Sequence, residues 1–156
     1  MLIRFTRLTN DRHRFEIVRD DGSREAHELE TRSTLAHDLT HYAVEVEGVL
    51  RHSFYGTLAS GTRYADLVVE PPEGPEAGQT ELVVAMLQGV FNAVDHGGHD
   101  PQALFSRIVA GFDALGRERP PWLTAELIGR ILERLRSVRG RWRATPFHST
   151  LELEFP

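Results

Sequence analysis

The sequence predicts an α+β domain: an N-terminal antiparallel β-meander, completed by one or two C-terminal strands, packed against about four helices. Three observations predict it. Strand-like segments rich in Ile, Phe and Val occupy the first 30 residues, and Leu151, Leu153 and Phe155 alternate at the far end. Between them, from Thr34 to Arg139, apolar residues recur with helical spacing. The first and last segments then share one sheet, so a single domain spans 1–156.

Ile3, Phe5 and Arg7 fall on one face of a first strand, and Thr9-Asn10-Asp11-Arg12 forms a turn. A second strand runs from His13 to Arg19, with Phe15 and Ile17 on one side. Asp20-Asp21-Gly22 is a hairpin signal, because glycine accepts the positive φ that such turns require. Arg24 to Leu29 reads as a third strand. Leu35, Leu39, Tyr42, Ala43 and Val46 then form a helical stripe, with Ser33 or Thr34 as its cap and Gly48 as its stop. Phe54 to Ala59 fits a short helix ended by Gly61. Residues 70–79 form an acidic Pro/Gly loop. Thr80 is expected to cap a helix reaching about Asp95, and its apolar residues, Leu82 to Val94, surround it on nearly all sides. Such a helix is central or lies in a homodimer interface. Asp100-Pro101 opens another helix, to Leu115. After Pro120-Pro121, Thr124 caps a last helix, which Gly140 should stop, leaving Trp142 for a strand.

Composition narrows the chemistry. The chain has 156 residues, 40% hydrophobic and 26% charged, which fits one soluble domain. All 18 basic residues are arginine, and cysteine is absent. Disulfides, thiolate zinc sites, cysteine nucleophiles, Schiff-base lysines and a P-loop lysine are thereby excluded. A net charge of −5 argues against a nucleic-acid binder. No apolar run reaches the roughly 20 residues of a membrane helix, and the opening residues lack a signal-peptide pattern. Absence of cysteine fits a cytoplasmic setting.

What remains is histidine. In Leu35-Ala36-His37-Asp38-Leu39-Thr40-His41-Tyr42-Ala43-Val44-Glu45, His37 and His41 stand one turn apart on the same helix face. Two imidazoles so placed can share one divalent metal ion, zinc or another. Glu45 continues the line as a candidate third ligand, although a straight helix carries it about 12 Å from His37. His52, or the loop His96-Gly97-Gly98-His99, is an alternative source. The same residues have a structural reading, with Asp38 as an i+3 ion-pair partner of His41. Arg139, Arg141 and Arg143 offer a separate anion-binding or acid-facing cluster.

The five residues His37-Asp38-x-x-His41 resemble the H-E-x-x-H helix of the zincin metalloproteases, with Asp in place of Glu. That resemblance implies His37 and His41 as metal ligands and Asp38 as the catalytic base acting on a metal-held water. The longer pattern Leu35-x-His37-Asp38-Leu39-x-His41-x-x-Val44-Glu45, with Gly56-Thr57-Leu58-Ala59-Ser60-Gly61 after it, is similar to a signature of a family of small bacterial proteins without an established activity. It implies a bacterial cytoplasmic protein and no particular mechanism. Two functions follow as expectations: a metal-dependent, hydrolytic protein, or a non-catalytic homodimeric or partner-binding module with a structural His/Asp cluster.

Overall fold

A computed structural model describes residues 1–91 and 99–156. Strand β1 (Leu2–Arg7) pairs antiparallel with β2 (Arg12–Val18), which pairs with β3 (Arg24–Glu30). The last strand, β4 (Thr150–Glu154), pairs with the other edge of β1, giving a four-stranded sheet of order β3-β2-β1-β4. Alternation dictates which face is covered. Ile3, Phe5, Phe15, Ile17, Leu151 and Leu153 all point to one side and are buried there. The registers Ile3 opposite Ile17 and Phe5 opposite Phe15 put like with like across the strands. The meander and its completion by the chain's far end are as the sequence predicts.

Six α-helices among the described residues contribute to one buried core with that face. One turn of π-helix, Thr31–Leu35, leads directly into α1 (Ala36–Gly48). That continuity removes the free end that Ser33 or Thr34 was expected to cap: Leu35 is already helical, at φ −60°, and the Thr34 hydroxyl donates to the Glu30 carbonyl instead. α2 (Phe54–Ala59) follows as expected. α3 (Tyr64–Val69) was not foreseen; six residues are too few to display a helical period. α4 (Pro75–Phe91) starts within the stretch expected to be loop, with Pro75 at its first position, where the missing N–H is harmless. The acidic loop is therefore 70–74, and Thr80 lies buried inside the helix, its hydroxyl 2.8 Å from that of Ser53. α5 (Pro101–Ala114) begins as the sequence predicts, with the Asp100 carboxylate accepting from the backbone of Gln102 and Ala103. α6 (Ala125–Ala144) is capped by Thr124 but runs through Gly140. Leu127, Ile131, Leu135, Val138 and Trp142 form one buried stripe. Burying Trp142 outweighs the roughly 1 kcal/mol that a mid-helix glycine costs. Trp142 thus belongs to the helix, and there is one C-terminal strand.

α1 lies in the middle. It packs between the sheet, α4 and α6, and every residue from Asp38 to Glu45 is buried. The apolar character of α4 is satisfied within the chain: Val83, Val84, Leu87 and Val90 are buried in the same core, with Leu82 and Met86 packed against it. No helix among the described residues is long and apolar enough to cross a membrane. The His96-Gly97-Gly98 part of the expected histidine loop lies outside the described residues. Arg130 and Arg134 pair with Glu47 of α1, and Arg141 donates to the Glu152 carbonyl.

α1 ends one residue later than Gly48 would have it. Val49 takes the left-handed position, φ 54° and ψ 41°, while the Leu50 N–H closes on the Glu45 carbonyl. That conformation strains a β-branched residue. Val49 is 67% exposed, so little packing is lost with its side chain. Val49→Gly should stabilise the protein by about 1 kcal/mol, with Val49→Asn also stabilising. Urea denaturation checks this, and a loss of stability in both variants would contradict it.

Candidate metal centre

The site is built on α1 because that helix is enclosed. A polar side chain there has no water to turn to and must find a partner or bear a desolvation penalty. Glu45 is the clearest case. It is 1% exposed, yet it makes three hydrogen bonds as an acceptor. Oε1 accepts from His41 Nδ1 at 2.9 Å, and Oε2 accepts from the backbone N–H of Tyr55 and of Gly56, at 2.8 and 3.1 Å. Burial pushes Glu45's pKa up, while the His41 ring and the two N–H donors pull against it. All three partners are donors, so they hold the ionised carboxylate.

Those bonds need α2 to approach closely. A Cβ on Gly56 would sit 2.3 Å from the Arg51 carbonyl oxygen, so no other residue fits. The Gly56-to-Gly61 run therefore has a backbone reason for its first glycine.

With Nδ1 held by Glu45, His41 turns Nε2 outward to Glu81 Oε2 of α4, at 3.0 Å. His37 is arranged in parallel. Its Nδ1 lies 3.4 Å from Asp38 Oδ1 and its Nε2 lies 3.3 Å from Glu81 Oε1. The two rings are 4.6 Å apart, as the i,i+4 spacing implies. One ligand atom from each of His37, His41 and Glu81 can be chosen so that all lie within 4.8 Å of one another, and the group could hold a metal ion. Four-coordinate zinc with bonds near 2.0–2.1 Å puts its ligand atoms about 3.3 Å apart. The two imidazole–carboxylate spacings, 3.3 Å to Oε1 and 3.0 Å to Oε2, are of that order, each to a different oxygen of Glu81. Glu81, with its side chain 58% exposed, has room to adjust.

The carboxylates set the charge of the rings. The hydrogen bond to Asp38, then that to Glu81, pushes His37 up to about 9 against the opposing effect of burial. Burial works against charge on His41 as well, but Glu45 and Glu81 overcome it and its pKa is raised. Glu81 is in turn held far below the usual carboxylate range by the two histidines.

The cluster forms one corner of a cavity of about 660 Å³, whose other walls are largely apolar: Phe54, Tyr64, Leu67, Val68, Pro71 and Pro72. Asp38 is part of this lining. The residue is 5% exposed and its Oδ2 is buried without a hydrogen-bond partner.

The sequence reading thus placed His37 and His41 together correctly as neighbours and put Asp38 beside them. Glu45 stands behind His41, on the Nδ1 side, and Glu81 occupies the position of third group that had been given to Glu45. His52 is exposed and outside the group, its backbone N–H bound to Glu76. Glu81 did carry a signal: it is the only charged residue between Glu76 and Asp95, in an otherwise apolar helix.

Removing the Glu45 carboxylate should loosen both the fold and the site. Glu45→Ala leaves the Tyr55 and Gly56 N–H groups and the Nδ1 side of His41 unpaired in the core, a loss of about 3–5 kcal/mol. Glu45→Gln keeps the volume but turns an N–H₂ toward donors, and should lose at least about 2 kcal/mol. Denaturant unfolding of both variants without metal checks this; near-wild-type stability would show that Glu45 is not a fixing point. The chain matches no family model, and comparison with curated proteins and with solved structures returns no match.

Proposed function

We propose that this protein binds one divalent transition-metal ion, zinc by preference, through His37 Nε2, His41 Nε2 and the Glu81 carboxylate, and that it serves metal-dependent hydrolysis of a small molecule. One observation carries the reading. Both imidazoles aim the same nitrogen at one carboxylate, and each has its other nitrogen against a separate carboxylate, Asp38 or Glu45. A carboxylate behind a ligating histidine fixes its tautomer and raises its basicity, and metal sites are recurrently supported in this way.

Electrostatics supports it too. Without metal, two rings 4.6 Å apart both have raised pKa values, so like charges are pressed together in a largely buried corner. A divalent ion between Nε2 atoms removes that repulsion: the rings become neutral donors, while their Nδ1–H groups stay with Asp38 and Glu45. Two histidines and one carboxylate leave a fourth position open, as hydrolytic zinc sites require, and the cavity provides access to it. Asp38 orients His37 and belongs to the cavity lining. In this reading Asp38 keeps the base role that the zincin-like spacing implies, and Glu45 is a positioning residue.

Metal analysis after dialysis against zinc should find about one equivalent in the wild-type protein. His37→Ala and Glu81→Gln change partly exposed side chains and should fold normally by circular dichroism, yet retain little or no zinc. Asp38→Asn should keep zinc with affinity lowered about 10–100-fold in competition with a chelating dye. Absence of zinc from the wild type, or equal retention in His37→Ala and Glu81→Gln, would overturn the assignment.

A further inference from the structure

The cavity that holds the cluster also selects what can enter, and this inference rests on the proposed metal site. Among the described residues its lining contains no arginine, although every Lys/Arg-type basic side chain of the sequence is an arginine. A phosphate or carboxylate substrate would therefore find no cationic partner besides the metal. The charge already present opposes an anion further. Asp38, Glu45 and Glu81 surround two imidazoles that are neutral when ligating, so one divalent ion leaves an excess of negative charge. Opposite the ion, Phe54, Leu67, Val68 and the two prolines offer apolar contact only.

We infer that the site takes a neutral molecule with an apolar body, aromatic or branched alkyl, and a carbonyl head. The carbonyl oxygen faces the metal, and the body lies along Phe54, Leu67 and Val68. A carboxamide or N-acyl compound has this chemistry, and the 660 Å³ volume suits one of ordinary small-ligand size.

Hydroxamates test this, since they carry one metal-binding head on different bodies. Calorimetric titration of the zinc-loaded protein should show benzohydroxamate binding at least about tenfold more tightly than acetohydroxamate, because the ring is buried against the wall. 4-Carboxybenzohydroxamate, with the same ring and an added anion, should lose about tenfold or more of that advantage. Val68 is 63% exposed, so Val68→Asp leaves the core intact while placing a charge on the wall. It should weaken benzohydroxamate about tenfold, leave acetohydroxamate unchanged and keep zinc stoichiometric. Equal affinity for all three compounds on the zinc-loaded protein would overturn the inference and leave the metal assignment standing. Failure to take up zinc would overturn both.

Discussion

A carboxylate in the middle of the core governs this structure. Glu45 is enclosed on a helix that is itself enclosed, and its three hydrogen bonds tie α1 to the start of α2 and to His41. A carboxylate so deep is tolerable only when hydrogen-bond donors reach both of its oxygens, because each unmade bond leaves a desolvation penalty uncompensated. That requirement ties down the start of α2, where the turn through Arg51 leaves no room for a Cβ at position 56. It also fixes the His41 ring. With Nδ1 committed to Glu45, only Nε2 remains to face the cavity, so the aim of the His41 ring is settled by a residue outside the cavity lining.

The sheet and the outer helices make this enclosure possible. β4 closes the exposed edge of β1, so the first and last strands present one continuous apolar face. α1 lies over that face, with α4 and α6 against its flanks. α4 is the bridge from packing to chemistry. Val83, Val84 and Leu87 anchor it in the core, and the same anchoring carries Glu81, at the side of α4 facing the cavity, to the two imidazoles. Leverage of this kind is how a rigid element positions a group whose own side chain is mostly exposed.

Local features were legible in the sequence, and those depending on distant neighbours were not. The hairpin at Asp20-Asp21-Gly22, the Asp100-Pro101 start and the Thr124 cap rest on the chemistry of adjacent residues, and each stands where expected. Gly48 and Gly140 misled because a glycine permits a helix to stop without requiring it, and tertiary contacts decided otherwise. Val49 holds the turn while Leu50 is buried, and Trp142 draws α6 onward. The i,i+4 pair His37–His41 was visible because its two members share a helix. Glu81 was not, because 40 residues and a separate helix intervene, and no spacing rule spans such a gap. Glu45 was singled out for the right neighbourhood, but its direction was hidden. Seen along a bare helix it extends a line of ligands, whereas the docking of α2 turns its carboxylate to the far side of His41.

The arginine-only composition gains a structural meaning from this arrangement. In a chain without lysine or cysteine, histidine and carboxylate are the groups left to assemble a reactive site, and α1 and α4 bring five of them together: His37, Asp38, His41, Glu45 and Glu81. The arginines are employed elsewhere. Arg19 is buried against the Leu58 and Thr62 carbonyls and Glu25, and Arg130 and Arg134 brace α6 on Glu47. Each of these pairs joins two elements, which suits a planar group with several fixed donors. The separation has an electrostatic consequence. Cations support the frame and carboxylates crowd the cavity corner, so the corner's need for positive charge is met within it only by protonated imidazoles or by a metal ion. Protonated imidazoles satisfy the carboxylates one at a time and repel each other. A single divalent ion would satisfy Glu81 and both rings together, and that difference is the physical ground for proposing a metal site rather than a chain of ion pairs.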